Sequence, residues 1–169
     1  MYKVSLAIPI YNVSLFVERA LLSALNQTYD NIEYLIVDDK GQDDSMDIVH
    51  RIIKDHPRGK DVRIIEHPYN IGLGATRNTA IDNAQGEYLF FMDSDDEIIP
   101  TCIEILVHKM QEHPVDFIAA SHMKKDLSGK TYPTYTYSPI LIQGDDLPVA
   151  QYRYAQNNDI YVYELEQTL

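Results

Sequence analysis

The sequence predicts an α/β protein built around a mainly parallel β-sheet that is covered by helices on both faces. Short apolar runs typical of buried strands alternate along the chain with segments whose apolar residues recur every three or four positions. The length of 169 residues and the hydrophobic fraction of 45% suffice for a core without disulfides or a structural metal. Together these observations indicate one domain, with a hairpin towards its C-terminal end.

The first strand, helix and second strand of the predicted sheet follow one another from the N-terminus. Alternating apolar residues predict a strand over residues 3–9, which Pro9 should end because proline cannot donate to a ladder. The helix that follows is indicated by an apolar stripe made up of Val17, Ala20, Leu21, Ala24 and Leu25. Residues 32–37 form a near-continuous apolar run, as in a parallel strand that is buried on both faces.

The alternation of strands and helices then continues. A second apolar stripe predicts a helix for which Ser45 is the expected N-cap. A third strand is predicted over residues 62–65, and a third helix over residues 75–84 should be closed by Gly86 at its C-terminal end. Residues 88–92 complete this part of the sheet as a fourth strand.

The pattern changes after residue 100. A helix is predicted over residues 101–110 and a fifth strand over residues 117–120. The turn signal Ser128-Gly129, followed by alternating tyrosine and threonine residues up to position 137, predicts an antiparallel hairpin. Two weaker patterns follow, a short helix over residues 145–157 and an edge strand over residues 160–163.

The composition excludes several classes of function. A net charge of −12 disfavours nucleic acid as a partner, because phosphate contacts need a basic surface. The longest apolar run, residues 88–92, is too short to span a bilayer, and the N-terminus lacks the pattern of a signal peptide, so we expect a cytoplasmic protein. The lone Cys102 falls in a helical pattern and is expected to be a buried structural thiol.

Acidic residues cluster where the predicted strands end. Asp38 and Asp39 follow the second strand, and Asp93, Asp95 and Asp96 follow the fourth, so five carboxylates are expected at one edge of the sheet. Two carboxylates about 4 Å apart repel by roughly 1 kcal/mol in water, which makes a bound cation their natural partner. Asp93 and Asp95 can point the same way and offer oxygens to Mg²⁺ or Mn²⁺, leaving further positions to phosphate and water. The sequence therefore predicts a metal and diphosphate site at this edge.

Several ordered motifs in the first 120 residues resemble those of the family 2 glycosyltransferases, which have the GT-A fold, a Rossmann-like α/β architecture. The motifs are Pro9-Ile10-Tyr11-Asn12, Val37-Asp38-Asp39 with Asp43 and Ser45, Gly72 with Arg77-Asn78, Gly86, and Met92-Asp93-Ser94-Asp95-Asp96. The resemblance implies an inverting, metal-dependent transfer of a sugar from a nucleotide-diphospho-sugar, usually a uridine one. In one departure, the Gly-Ser that the family usually has after the paired aspartates is replaced by Lys40-Gly41.

The resemblance also implies roles for individual residues. Pro9 and Tyr11 would flank the base, and Asp39 would accept a hydrogen bond from its imide N–H. Asp93 would contact the ribose or the metal, and Asp95 would hold the metal, Mn²⁺ or Mg²⁺, on the diphosphate. Arg77 would lie near the diphosphate, after a turn at the start of a helix that includes Gly74.

The sequence does not identify a catalytic residue. In the family the general base lies well downstream of the Asp-x-Asp motif, and we expect it beyond residue 169. The late acidic residues do not match its context; they are Asp145, Asp146, Asp159, Glu164 and Glu166. The alternative to an active enzyme is a non-catalytic module, or an inactive fragment, that binds a nucleotide-sugar.

The expected organisation and partners follow from the same resemblance. Residues 1–121 would form the nucleotide-sugar-binding core, and residues 122–169 would be the start of an acceptor-side region of the same domain, which we expect to be truncated. The acceptor would be a sugar or a lipid-linked sugar. Peripheral association with the inner face of the membrane, and a homodimer, are left open. A nicotinamide dehydrogenase is disfavoured, because Pro9-Ile10-Tyr11-Asn12 stands where Gly-x-Gly-x-x-Gly would be needed.

Overall fold

The structure is a computed structural model that describes residues 1–113, 118, 123–125 and 129–133. The chain divides into two units, Met1–Glu104 and Ile105–Leu169. Most of the predicted fifth strand, residues 117–120, and everything predicted after residue 133 lie outside the described residues. The expected division into 1–121 and 122–169 stays a prediction.

The first unit contains a four-stranded parallel sheet with the strand order β3-β2-β1-β4. Its strands are β1 (Val4–Ile10), β2 (Ile32–Asp38), β3 (Val62–Glu66) and β4 (Tyr88–Phe91). Val4 pairs with the first residue of both β2 and β4, so the three strands start level. Pairing with β4 stops at Ala7, whereas pairing with β2 continues to Ile10. The parallel sheet predicted from the sequence is confirmed.

Helices cover both faces of this sheet. They are α1 (Val17–Leu25), α2 (Ser45–Asp55) and α3 (Leu73–Asn83), with a 3₁₀ turn at Pro57–Asp61. From β1 to β3 the chain adds strands in one direction across the sheet, and right-handed crossovers place α1 and α2 on the same face. After β3 the chain returns past β1 to form β4, so α3 lies on the opposite face. On the α3 face, Ala80 packs in one cluster with Ala7, Leu35 and Val37. Every residue of β2 is buried, as expected for a strand covered on both sides.

Pro9 does not end the first strand, which corrects the sequence prediction. Pro9 lies within β1 and pairs with Val37 of β2. The backbone polar groups of Ala7 and Pro9 point to the same edge of β1. That edge faces β4, since the Ala7 carbonyl accepts a hydrogen bond from the Met92 amide at 3.0 Å. Because β4 pairs with β1 only as far as Ala7, no N–H is needed at position 9.

Two predicted helix ends also need correction. Ser45 is the first residue of α2 and not its N-cap, which is Asp44. The Ser45 hydroxyl donates to Asp43 and accepts from the Val13 amide, so it is used between loops. The third helix ends at Asn83 with Ala84 as its C-cap, and Gly86 has a different role. A Cβ at Gly86 would lie 2.7 Å from both the Lys3 carbonyl and the Ser5 amide, so Gly86 allows the chain to approach β1 before β4 begins.

Helix α4 (Cys102–Glu112) begins in the first unit and continues past its end. Cys102 is buried, as expected for a structural thiol, and burial raises its pKa to about 11. In the second unit, β5 (Met123–Lys125) pairs antiparallel with β6 (Thr131–Pro133), with Gly129 at a positive φ of 86° between them. The predicted hairpin is thus confirmed over its described residues. Within the described part of the chain, no helix is long and apolar enough to cross a membrane.

Candidate functional site

A cavity of about 440 Å³ opens at the carboxyl ends of the strands. It lies by the neighbouring strands β1 and β4, where the direction in which successive strands are added to the sheet reverses. This is the position at which open parallel sheets bind ligands. Four segments line the cavity, one after each strand, and α3 contributes its first turn. The lining residues are Pro9, Ile10, Tyr11, Asp39, Asn70, Gly72, Leu73, Thr76, Asp93, Ser94 and Asp95.

The structure brings five of the residues expected at the site to this one cavity. They are Pro9, Tyr11, Asp39, Asp93 and Asp95. Arg77 does not line the cavity but reaches its edge, because its guanidinium donates to Asp93 Oδ1 at 2.9 Å. Gly74 is also outside the lining. It lies in the first turn of α3 between Leu73 and Thr76, and a Cβ there would meet nothing within 4 Å.

The loop that carries Tyr11 is fixed to the loop after β2. Asn12 has a positive φ of 52°, and its side-chain oxygen accepts from the Gln42 amide at 2.7 Å. Asp43 accepts from the Ser14 amide at 2.8 Å and from the Ser45 hydroxyl at 2.5 Å. Burial opposes ionisation of Asp43, but these hydrogen bonds prevail and lower its pKa to about 2. The two loops, about 30 residues apart in sequence, therefore form one polar unit next to Tyr11.

Asp39 is the most heavily hydrogen-bonded carboxylate of the cavity. Its Oδ1 accepts from the His67 ring at 2.8 Å and from the Ile71 amide at 2.9 Å. Its Oδ2 accepts from the Asn70 side chain and from the Gly72 amide, both at 2.9 Å. Burial acts to raise the pKa of Asp39, yet the hydrogen bonds from Ile71, His67 and Gly72 hold it below its usual range. Asp39 is therefore an ionised acceptor that also holds the segment leading into α3.

His67 and Asn70 were not identified from the sequence. Both follow β3, which ends at Glu66, so they lie at the same edge of the sheet as the acidic residues. Open parallel sheets bind ligands at the carboxyl ends of their strands, and this carboxyl-end rule singled out the residues after the first, second and fourth strands. Applied to the third strand as well, it would have identified His67 and Asn70. Both residues contact Asp39, and Asn70 lines the cavity.

The five acidic residues expected at one edge do not all face the cavity. Asp39, Asp93 and Asp95 line it, but Asp38 and Asp96 do not. Asp38 is buried and accepts from the amide and the ammonium group of Lys40, which also donates to Glu66 at 2.6 Å. Lys40 thus neutralises Asp38 on the β3 side and does not add its charge to the cavity. The repulsion expected from five gathered acids is reduced by this ion pair.

Asp93 and Asp95 are exposed in the turn after β4, on either side of the buried Ser94. Among the described residues, no three His, Cys, Asp or Glu side chains form a group that could hold a metal by themselves. Two carboxylates nevertheless fit Mg²⁺ or Mn²⁺ in sites where phosphate oxygens complete the coordination, since hard cations prefer oxygen ligands. The pair is therefore suited to a metal that arrives with a diphosphate.

Comparisons with known proteins agree with this geometry. Residues 5–161 match the model of the family described as Glycosyl transferase family 2. An uncharacterized glycosyltransferase from Haemophilus influenzae is 32% identical over 151 residues, covering 86% of this chain and 59% of that protein. The Escherichia coli protein named UDP-Glc:alpha-D-GlcNAc-diphosphoundecaprenol beta-1,3-glucosyltransferase WfaP is 38% identical over 129 residues, covering 75% of this chain and 49% of its own. The chain thus spans about half the length of these relatives.

A solved structure extends the comparison to the fold. TarS residues 1–349 from S. aureus, crystallised in complex with UDP-GlcNAc, matches 78% of this chain and 37% of its own with a TM-score of 0.67 and 27% identity. The parallel sheet flanked by helices is shared, which confirms the expected GT-A fold. With a family model that covers nearly all of its residues, this chain belongs to glycosyl transferase family 2.

Proposed function

We propose that this chain binds a nucleotide-diphospho-sugar, a UDP-sugar, for an inverting and metal-dependent transfer of the sugar to an acceptor hydroxyl. The observation that carries the proposal is the set of side chains that line the 440 Å³ cavity. They include an aromatic ring, a buried ionised carboxylate and two exposed carboxylates. These three features suit a base, its imide N–H and a metal-bound diphosphate. The relative named as a UDP-Glc transferase and the TarS complex with UDP-GlcNAc support a uridine donor.

The base would lie against Pro9 and Tyr11. Tyr11 is 47% exposed and held by the fixed loop, so its ring offers a face for stacking. An ionised carboxylate can only accept hydrogen bonds, so Asp39 would favour uracil, whose imide is a donor, over cytosine, whose corresponding ring nitrogen is an acceptor. Because Asp39 already accepts four hydrogen bonds, one donor must yield to the imide. The exposed side chain of Asn70 is the donor that can move without disturbing the backbone.

The diphosphate would lie over Asp93, Asp95 and the start of α3. Asp93 and Asp95 would hold Mn²⁺ or Mg²⁺, which supplies charge neutralisation of the leaving nucleoside diphosphate. Arg77 already orients Asp93 and adds a guanidinium next to the phosphates. Gly74 has no Cβ, so the backbone of the first turn of α3 is open to a close approach by the anion.

The transfer itself would be a single in-line displacement. The acceptor hydroxyl attacks the anomeric carbon, its proton passes to a carboxylate base, and the nucleoside diphosphate leaves from the opposite face, with oxocarbenium character in between. The base stays unassigned, since the late acidic residues lie outside the described part of the chain. A lipid-linked sugar as acceptor is supported by the diphosphoundecaprenol in the name of the E. coli relative.

Calorimetry with UDP and CDP, each in Mn²⁺ and in EDTA, tests the proposal. We expect UDP to bind more tightly than CDP and to bind more tightly with the metal. Asp95→Asn should remove the metal-dependent part, whereas Asp96→Asn is a matched control, because Asp96 is the next acid along but does not line the cavity. Equal UDP affinity with and without metal would refute metal dependence. UDP binding without transfer to any acceptor by a longer chain would favour the non-catalytic module.

A further inference from the structure

His67 is a buried histidine that lies behind the cavity. It follows β3 directly, its side chain is 7% exposed, and its amide donates to the Asp38 carbonyl at 2.9 Å, which continues the sheet ladder. Its ring spans the space between Asp39 and α3. Nδ1 is 2.8 Å from Asp39 Oδ1, and Nε2 is 2.9 Å from the hydroxyl of Thr79. Both ring nitrogens are thus engaged, and the ring is held at two points.

The proton on Nδ1 can be assigned from the chemistry of its partner. An ionised carboxylate has no proton to give, so Nδ1 must carry the hydrogen of this contact. At the other end, the Thr79 hydroxyl can donate either to Nε2 or to the Ala75 carbonyl, which is 3.1 Å away. Thr79 therefore accommodates the ring with or without a hydrogen on Nε2. The donor towards Asp39 is the same in both arrangements.

We propose that His67 is a positioning residue that holds the Asp39 carboxylate as a fixed acceptor and thereby sets the preference for a uracil base. This inference rests on the proposed function. Among the four donors to Asp39, two are backbone amides and one is the exposed Asn70 side chain, which must yield to the base. His67 is the one buried side-chain donor of the four, and it is anchored independently of the base by Thr79.

The consequence of losing this donor is specific to base selection. Without the His67 hydrogen bond, Oδ1 would keep the Ile71 amide as its protein partner, and the carboxyl group would be freer to turn or to take up a proton. A protonated carboxyl group can donate a hydrogen bond, which the ring nitrogen of cytosine can accept. The difference in affinity between UDP and CDP should therefore narrow even when the fold is retained.

Two substitutions separate the two ends of the ring. The amide nitrogen of asparagine corresponds in reach to Nδ1, so His67→Asn keeps a donor towards Asp39. The amide of glutamine corresponds to Nε2, so His67→Gln keeps a partner for Thr79 and loses the donor. By calorimetry in Mn²⁺, we expect the UDP-to-CDP affinity ratio of His67→Asn to stay within about threefold of the parent, and that of His67→Gln to fall about tenfold or more, as for loss of one hydrogen bond to a charged group.

Each outcome decides between the two proposals. If the parent binds no uridine nucleotide, the proposed function is refuted and this inference with it. If the parent prefers UDP and His67→Gln keeps that preference, the inference is overturned while the proposed function stands. Should His67→Gln not fold, Thr79→Val provides the second measurement, because it removes the hydroxyl that anchors Nε2 and leaves the Nδ1 donor in place. We then expect a UDP-to-CDP ratio about threefold lower; an unchanged ratio would overturn the role of His67.

Discussion

Replacing Asp39 with asparagine should destabilise the fold far more than replacing an exposed acid of the same cavity. The change keeps the shape but turns one acceptor oxygen into an NH₂ group. Whichever way the amide is oriented, that NH₂ faces two N–H donors, either those of His67 and Ile71 or those of Asn70 and Gly72. In either orientation one backbone amide, that of Ile71 or of Gly72, is left without its acceptor, whereas the side-chain partner on the same oxygen can turn or change tautomer and accept from the NH₂ group.

The size of the effect follows from these contacts. A hydrogen bond to a charged group contributes about 1.5 to 3 kcal/mol, so the lost backbone bond should lower the free energy of unfolding by about 1.5 to 3 kcal/mol. For a chain of this size, that corresponds to a fall in Tm of about 3 to 12 °C. Asp93→Asn is the control, because its ion pair with Arg77 is exposed and worth about 1 kcal/mol or less.

The assay is thermal and urea unfolding of both variants and the parent at pH 7, repeated at lower pH. The pKa of Asp39 is depressed in the folded state, so its stabilising effect is complete above the unfolded value of about 3.9 and is lost as the pH falls through the lower folded value. The difference between parent and Asp39→Asn should therefore persist at pH 5 and shrink only below about pH 4. A loss at pH 7 no greater than that of Asp93→Asn would refute this account of Asp39.

Three further predictions concern other parts of the site and its support. Asp43→Ala should lower the free energy of unfolding by about 1 to 2 kcal/mol at pH 7. This loss should fade as the pH falls from about 4 to the folded pKa of Asp43, about 2, and urea titrations at several pH values would check it. Gly86→Ala should lower the free energy of unfolding by about 1 to 3 kcal/mol in thermal unfolding, because its Cβ would meet backbone atoms at 2.7 Å. A loss below about 0.5 kcal/mol, as for a neutral surface change, would contradict this. Arg77→Met should weaken metal-dependent UDP binding about tenfold in calorimetry with little change in Tm, whereas equal affinity would argue against a role for Arg77 at the diphosphate.

The regular elements could be predicted from the sequence because their signals are local. All five apolar residues of the first helical stripe are buried in α1, and the near-continuous apolar run became the fully buried β2. The corrections at Pro9, Ser45 and Gly86 have another origin. Each depends on a partner in a different strand or loop, which sequence periodicity does not specify.

The same distinction applies to the candidate site. The carboxyl-end rule predicted which segments meet, and Pro9, Tyr11, Asp39, Asp93 and Asp95 do line one cavity. It could not predict that Asp39 is already supplied with donors from residues 28 to 33 positions away, because those contacts depend on how the segment after β3 turns back. Nor could it predict that Lys40 would neutralise Asp38 and leave the cavity with fewer free charges.

The unequal lengths of the strands give the carboxyl edge of the sheet two levels. β4 is paired with β1 up to Ala7, whereas β1 and β2 remain paired up to Ile10, three residues further on. At about 3.3 Å per residue, the segment bearing Asp93 and Asp95 leaves the sheet roughly 10 Å below the end of β1, which bears Tyr11. We expect a ligand that contacts both levels to be elongated, with one end against an aromatic ring and the other against carboxylates. We therefore expect ligand length to contribute to selection, with a free base or an inorganic diphosphate contacting only one of the two levels.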